Sequence, residues 1–139
     1  MLFIKVSSNH TEADLEKILQ NAEPIIVGTV RNLYNSFNYV EYTNHGFEEM
    51  YAVASEHEKD QLIKLYEFFG MNFRIEDISK EILFGYEPEI DDIQKGEHLK
   101  ILTKEFVLTH LGIDIVLDKI LEKGLDSLTN YDFEVLKRT

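Results

Sequence analysis

The chain has no cysteine among its 139 residues. That excludes a disulfide framework, a thiolate zinc site and a cysteine nucleophile. Its seven glycines, at 28, 46, 70, 85, 96, 112 and 124, stand isolated, so neither a dinucleotide-binding fingerprint nor a P-loop is present. No apolar run approaches the length of a bilayer span. Met1 to Val6 is too short and too lightly charged for a signal peptide, and polar Ser7-Ser8-Asn9 follows at once. The expectation is a cytoplasmic protein. Positive charge is also scarce. Fourteen Lys and Arg face 26 Asp and Glu, a net charge of −12, shared equally between residues 1–70 and 71–139. There is no polybasic run to meet a membrane surface or to track a line of phosphates.

Catalytic groupings are equally sparse. His57-Glu58-Lys59-Asp60-Gln61 begins like a zinc-protease helix, but Gln61 stands where the second histidine belongs. The five histidines show no metal-ligand spacing. Asp91-Asp92 is a carboxylate pair in a solvated stretch, without the cleft that would raise one pKa for acid–base work. Ser7 and Ser8 have no local base or nucleophile elbow. The expectation is a non-enzyme that needs no cofactor and no metal.

What is present is an alternation of strand and helix signals. Leu2 to Val6 is rich in strand formers. Thr11-Glu12-Ala13-Asp14 offers an N-cap with acids in the first turn, and Leu15, Ile18, Leu19 and Ala22 follow at helical spacing. Pro24 ends that helix. Ile25 to Val30 is a β-branched run and predicts a buried strand. Residues 37–43 predict a second strand, with Phe37 and Tyr39 on one face and Asn38, Val40 and Tyr42 on the other. Asn44-His45-Gly46 is a turn signal. Residues 47–54 fit either a returning hairpin strand or a helix. Ser55 to Glu58 is a capping box, followed by Leu62, Leu65, Tyr66 and Phe69 on one helix face and by Gly70 as a stop. Asn72 to Ile78 alternates as a strand.

This order predicts an α+β fold of ferredoxin-like type: a split βαβ antiparallel sheet with two helices over residues 1–86. Residues 87–97, with Pro, Gly and five acids, read as an acidic linker. Residues 98–139 read as a helical tail that must pack on the first domain, on itself or on a partner. In the tail, Leu99, Leu102 and Phe106, with Ile101 and Leu108, mark one helix that stops near Gly112. Asp114 is placed to cap the next, with Val116, Leu117, Ile120 and Leu121 inward and Gly124 as its stop. Thr129 caps the last helix, with Asp132 at its N3 position.

Two resemblances accompany these signals. Leu2-Phe3-Ile4 matches the shorter signature of the RNA-recognition-motif family. Phe37, Tyr39, Val40 and Tyr42 match the longer one, and Thr11 to Leu15 is similar to the start of that family's first helix. Asn35, Ser36 and Asn38 depart from it, and the basic residue that opens the longer motif is missing. The resemblance implies that Phe3, Phe37 and Tyr39 stack bases on a shared face with Lys5 beside them. The competing reading is that these aromatics cover the sheet beneath the C-terminal helices. Residues 117–129 resemble the helix-loop-helix tail of some bacterial, phage and rhomboid-like proteins, which implies an appendage without activity of its own.

Two functions follow as expectations. The first is an acidic protein-interaction module: a regulator, adaptor or inhibitor, phage-encoded ones included, acting on a partner with a basic, nucleic-acid-binding surface. The alternative is a single-stranded RNA- or DNA-binding domain, for which Lys5, Arg31 and Arg74 are the only cations placed near the aromatic face.

Overall fold

The computed structural model describes residues 1–138. The strands are β1 (Leu2–Ser8), β2 (Asn38–Asn44), β3 (Phe47–Ala54) and β4 (Phe73–Asp77). They form one antiparallel open sheet in the order β2-β3-β1-β4. Seven α-helices complete this mixed α+β fold: α1 (Glu12–Gln20), α2 (Pro24–Tyr34), α3 (Glu56–Phe68), α4 (Ser79–Leu83), α5 (Ile93–His110), α6 (Ile113–Lys123) and α7 (Asn130–Arg138). None of them is long and apolar enough to cross a membrane, among the described residues.

The sheet is covered on both sides, and strand alternation assigns its side chains to two cores. Ile4, Val6, Met50, Ala52 and Ala54 meet Leu33 of α2 and Leu62 and Tyr66 of α3. On the opposite face Phe3, Val40, Tyr42 and Tyr51 meet helices α4 to α7 through Ile82, Leu99, Phe106, Val116 and Val135. Phe3 and Ile4 point opposite ways from the central strand, and neither exposes any surface.

The predicted strand over Ile25 to Val30 is instead the body of α2. Pro24 explains the change. It drives Glu23 into an extended conformation (φ −64°, ψ 148°), which keeps α1, ended at Gln20, from running on into α2, and it occupies the first position of α2, where no N–H is needed. Ile26, Val30 and Leu33 then turn inward at helical spacing, while Ile25 is left exposed. The unbroken apolar run hid that period. The second strand of the sheet is therefore Asn38–Asn44, and the ambiguous segment 47–54 is its hairpin partner. Their turn is His45-Gly46, with φ of 51° and 86°. Two positive φ values in a two-residue loop match the right-handed twist of the strands it joins.

Several local signals appear as read. Thr11 with Asp14, and Ser55 with Glu58, form reciprocal capping boxes. Gly70 and Gly124, past α3 and α6, take positive φ. Others shift. Helix α5 begins at Ile93, inside the stretch 87–97 expected as a linker, because the Asp92 carboxylate accepts from the Lys95 amide and caps it. Gly112, not Asp114, precedes α6. Leu117 and Leu121, expected inward, are exposed, as are Ile101 and Leu108.

The rotation of α6 has a visible cause. Its inward positions include Lys119, whose Nζ lies 2.7 Å from Asp132 Oδ2 with both side chains almost wholly buried. The same oxygen accepts from the Thr129 amide and hydroxyl, so Asp132 caps α7 and ties it to α6 at once. Gly85 (φ +108°) passes so close that a Cβ there would sit 3.7 Å from the Lys119 ammonium.

Removing one member of a buried ion pair strands the other charge, at a cost of about 3–5 kcal/mol. Lys119→Met is expected to destabilise by that order in urea unfolding. Adding Asp132→Asn, which keeps an oxygen for the cap, is expected to recover most of the loss. Equal stability of the single and double variants would show that the pair is not what holds this corner.

Candidate functional site

The structure separates the residues expected to form one aromatic face. Phe3 lies on the α5 side of the sheet, its ring edge-on to Phe106 at 5.5 Å. Phe37 and Tyr39 do neighbour each other, with centroids 5.6 Å apart, but on the opposite side, against Tyr34 of α2. Phe37 is buried and Tyr39 half-buried. The reason is register. Phe3 pairs with Val53 of β3, and Val53 pairs in turn with Asn38 of β2, so Phe3 shares its face with Asn38 and Val40. Lys5 follows Phe3. It sits above the Tyr51 ring with its Nζ 3.8 Å from Glu49. The expected platform of Phe3, Lys5, Phe37 and Tyr39 is therefore not assembled on a common face.

Tyr39 instead belongs to an open groove of about 490 Å³ between α1, α2 and the sheet. This volume suits a small ligand or a few side chains. Val6 and Met50 lie on the sheet side, Leu15 and Leu19 on the α1 side, and Tyr34 and Tyr66 line it as well. No residue of α1 is buried. The apolar stripe of that helix thus faces the groove half-packed, with Leu15 and Ile18 partly buried and Leu19 exposed.

Five glutamates line the groove: Glu12 and Glu16 on α1, Glu41 on β2, and Glu48 and Glu49 on β3. Glu49 is held by Lys5, Tyr42 and Asn44, unlike the other four. Among the described residues none of the four forms a salt bridge. Glu48 accepts a hydrogen bond from the Thr43 hydroxyl at 3.0 Å. Glu41 retains a solvent-accessible surface, yet protein crowds around it. That desolvation, then the charge of Glu48, holds its carboxyl above the ordinary range, while Lys95 opposes them from a distance. A second hollow, between α2 and α3, has a comparable volume of about 550 Å³, but Lys64, Gln61 and Asn32 line it and no carboxylate does.

At the base of the first groove the Tyr34 and Tyr66 hydroxyls are 2.6 Å apart. Burial raises both phenols, Tyr66 to about 12 and Tyr34 further. Both therefore stay protonated, and only one proton can lie between the two oxygens.

Signals for this site were present in the chain. Alternation places Glu41 on the face of Phe37 and Tyr39, and Glu12, Leu15, Glu16 and Leu19 share one helical stripe. The role of Tyr34 was hidden inside the segment read as strand and loop. Among the described residues, no three His, Asp or Glu side chains come together as a metal site. No protein-family model matches the chain, and neither does any curated protein or solved structure.

An acid whose folded pKa is raised costs stability while it is ionised. The cost is full above the folded pKa and fades as pH falls from there through the ordinary value of 4.5. Glu41→Gln is therefore expected to raise Tm at pH 7, with a gain that shrinks below that window. An unchanged or lowered Tm at pH 7 would show that Glu41 is not held at a cost.

Proposed function

We propose that this chain is a non-catalytic, acidic protein-interaction module, a regulator, adaptor or inhibitor whose partner presents a basic surface. The carrying observation is how the charges are spent. Lys5 and Arg74, two of the three cations expected beside the aromatic face, are each engaged by a carboxylate, Glu49 at 3.8 Å and Glu76 at 2.9 Å. Of the five glutamates that line the α1 groove, Glu49 is the one bound to Lys5, and Glu12, Glu16, Glu41 and Glu48 form no salt bridge among the described residues. Six of the fourteen cations are paired internally among the described residues, and the groove keeps an excess of unpaired negative charge for a partner. Such a surface speeds encounter with a cationic protein and makes binding salt-sensitive.

The fold reading that accompanies this proposal is the split βαβ, ferredoxin-like arrangement. Its support is the order β2-β3-β1-β4, with helices between β1 and β2 and between β3 and β4. In this reading the first crossover is a pair of helices, α1 and α2, and α4 to α7 cover the face that a nucleic-acid-binding sheet would leave open. That coverage, with the engaged cations, weighs against the single-strand alternative, since phosphate neutralisation supplies most non-specific affinity.

Recovery of partners from native cells with the tagged full chain, bound at low salt and eluted at high salt, is expected to enrich a basic protein over a charge-matched acidic control. No enrichment removes the reading. Labelled single-stranded oligonucleotides titrated at low salt are expected to show no saturable binding. Saturable binding lost in a Phe37→Ala/Tyr39→Ala variant would replace this proposal with the nucleic-acid one.

A further inference from the structure

We propose that the groove between α1 and the sheet receives a short basic, amphipathic segment of a partner protein, with a Lys or Arg side chain directed at Glu41 and apolar neighbours against Leu15, Met50 and Tyr39. The assignment rests on the module reading above and locates its contact surface.

Two features select this occupant. The first is charge. Glu12, Glu16, Glu41 and Glu48 face the groove, opposed there only by Arg31 and Lys95, and none of the four has a salt bridge among the described residues. An anion or a nucleic acid would add repulsion. A wholly apolar guest would strip water from carboxylates and return nothing. The guest must bring positive charge.

The second feature is the wall. Helix α1 carries an apolar stripe toward the groove, yet buries none of its residues. Its own fold leaves that stripe half-packed, so a guest with apolar side chains gains contact area without displacing a core. An amphipathic segment meets both demands, whereas a bare cation meets only the first.

Glu41 gives the proposal a distinctive signature. Its ionised carboxyl stands at a cost to the folded state, and a group kept at such a cost is characteristic of sites where binding, not stability, sets the residue. One substitution should then move stability and affinity in opposite directions.

The test uses the full chain, isotopically labelled, and an alternating leucine–arginine peptide at low salt, followed by NMR. Shift changes are expected to concentrate on α1, β2 and Lys95. A version with citrulline for arginine, isosteric but neutral, is expected not to bind. Glu41→Gln is expected to weaken the arginine peptide about tenfold, the effect of losing one charge-assisted hydrogen bond, while raising Tm at pH 7. Leu15→Ala, on the half-exposed wall, is expected to weaken it severalfold without loss of the folded spectrum. Equal affinity of Glu41→Gln and wild type overturns the proposal, as do shift changes centred elsewhere, for example on the exposed leucines 117, 121 and 125 of the C-terminal helices. If the peptide binds on another surface, the groove assignment falls and the acidic-module reading stands. If it does not bind at all, both fall.

Discussion

Burial of β1 on both faces is the constraint on which the rest of the molecule depends. A sheet with one apolar face needs one helical layer. A sheet whose central strand offers Phe3 to one side and Ile4 to the other needs two. The crossover helices supply the first layer, and the C-terminal helices supply the second through Leu99, Leu102 and Phe106. The tail therefore shares a core with the sheet. The bilayer of helices also decides what the protein can offer to others, because neither face of the sheet is free. Interaction falls to helix surfaces, strand edges and the seams where a layer is incompletely packed, of which the one beside α1 is acidic.

That seam follows from a single proline. Pro24 splits the first crossover into two helices set by an extended Glu23. Only α2 carries a buried residue, Leu33, into the core, while α1 is left with its apolar stripe short of the sheet. One uninterrupted helix would have had to pack along its length, leaving less room for the groove. The carboxylates around it are then tolerated because water still reaches them.

Much of the architecture was legible where the signal is local. Capping boxes at Thr11 and Ser55, the turn at His45-Gly46, the stop at Gly70 and the alternation of residues 73–77 are each decided by a few neighbouring atoms. What was not legible depended on tertiary context. The run Ile25 to Val30 has strand propensity, but it is at most half-buried as part of α2, whose hold on the core is Leu33, outside the run. Leu117 and Leu121 carry the pattern of inward residues, yet the Lys119–Asp132 contact turns them to solvent. Phe3 was rightly read as a strand residue and Phe37 falls just before its strand, while their relative face depended on a register that passes through β3, the one segment whose state was ambiguous. For the groove, Tyr39 was singled out, though for stacking and with the wrong companions. Glu41 lay two residues away and was passed over, because a lone acid in a chain so rich in acids carries little information.

The buried Lys119–Asp132 contact also divides the molecule by its response to ionic strength. Exposed carboxylates repel one another through water, and dissolved salt screens that repulsion over about 10 Å or less at ordinary concentrations. The pair between α6 and α7 is enclosed by protein, with almost no exposed surface on either side chain, so mobile ions have little access to it. Added salt should relax the strain of a −12 surface while leaving the anchor of the last helix in place. The C-terminal corner thus keeps its tie at salt concentrations that quiet the surface around it.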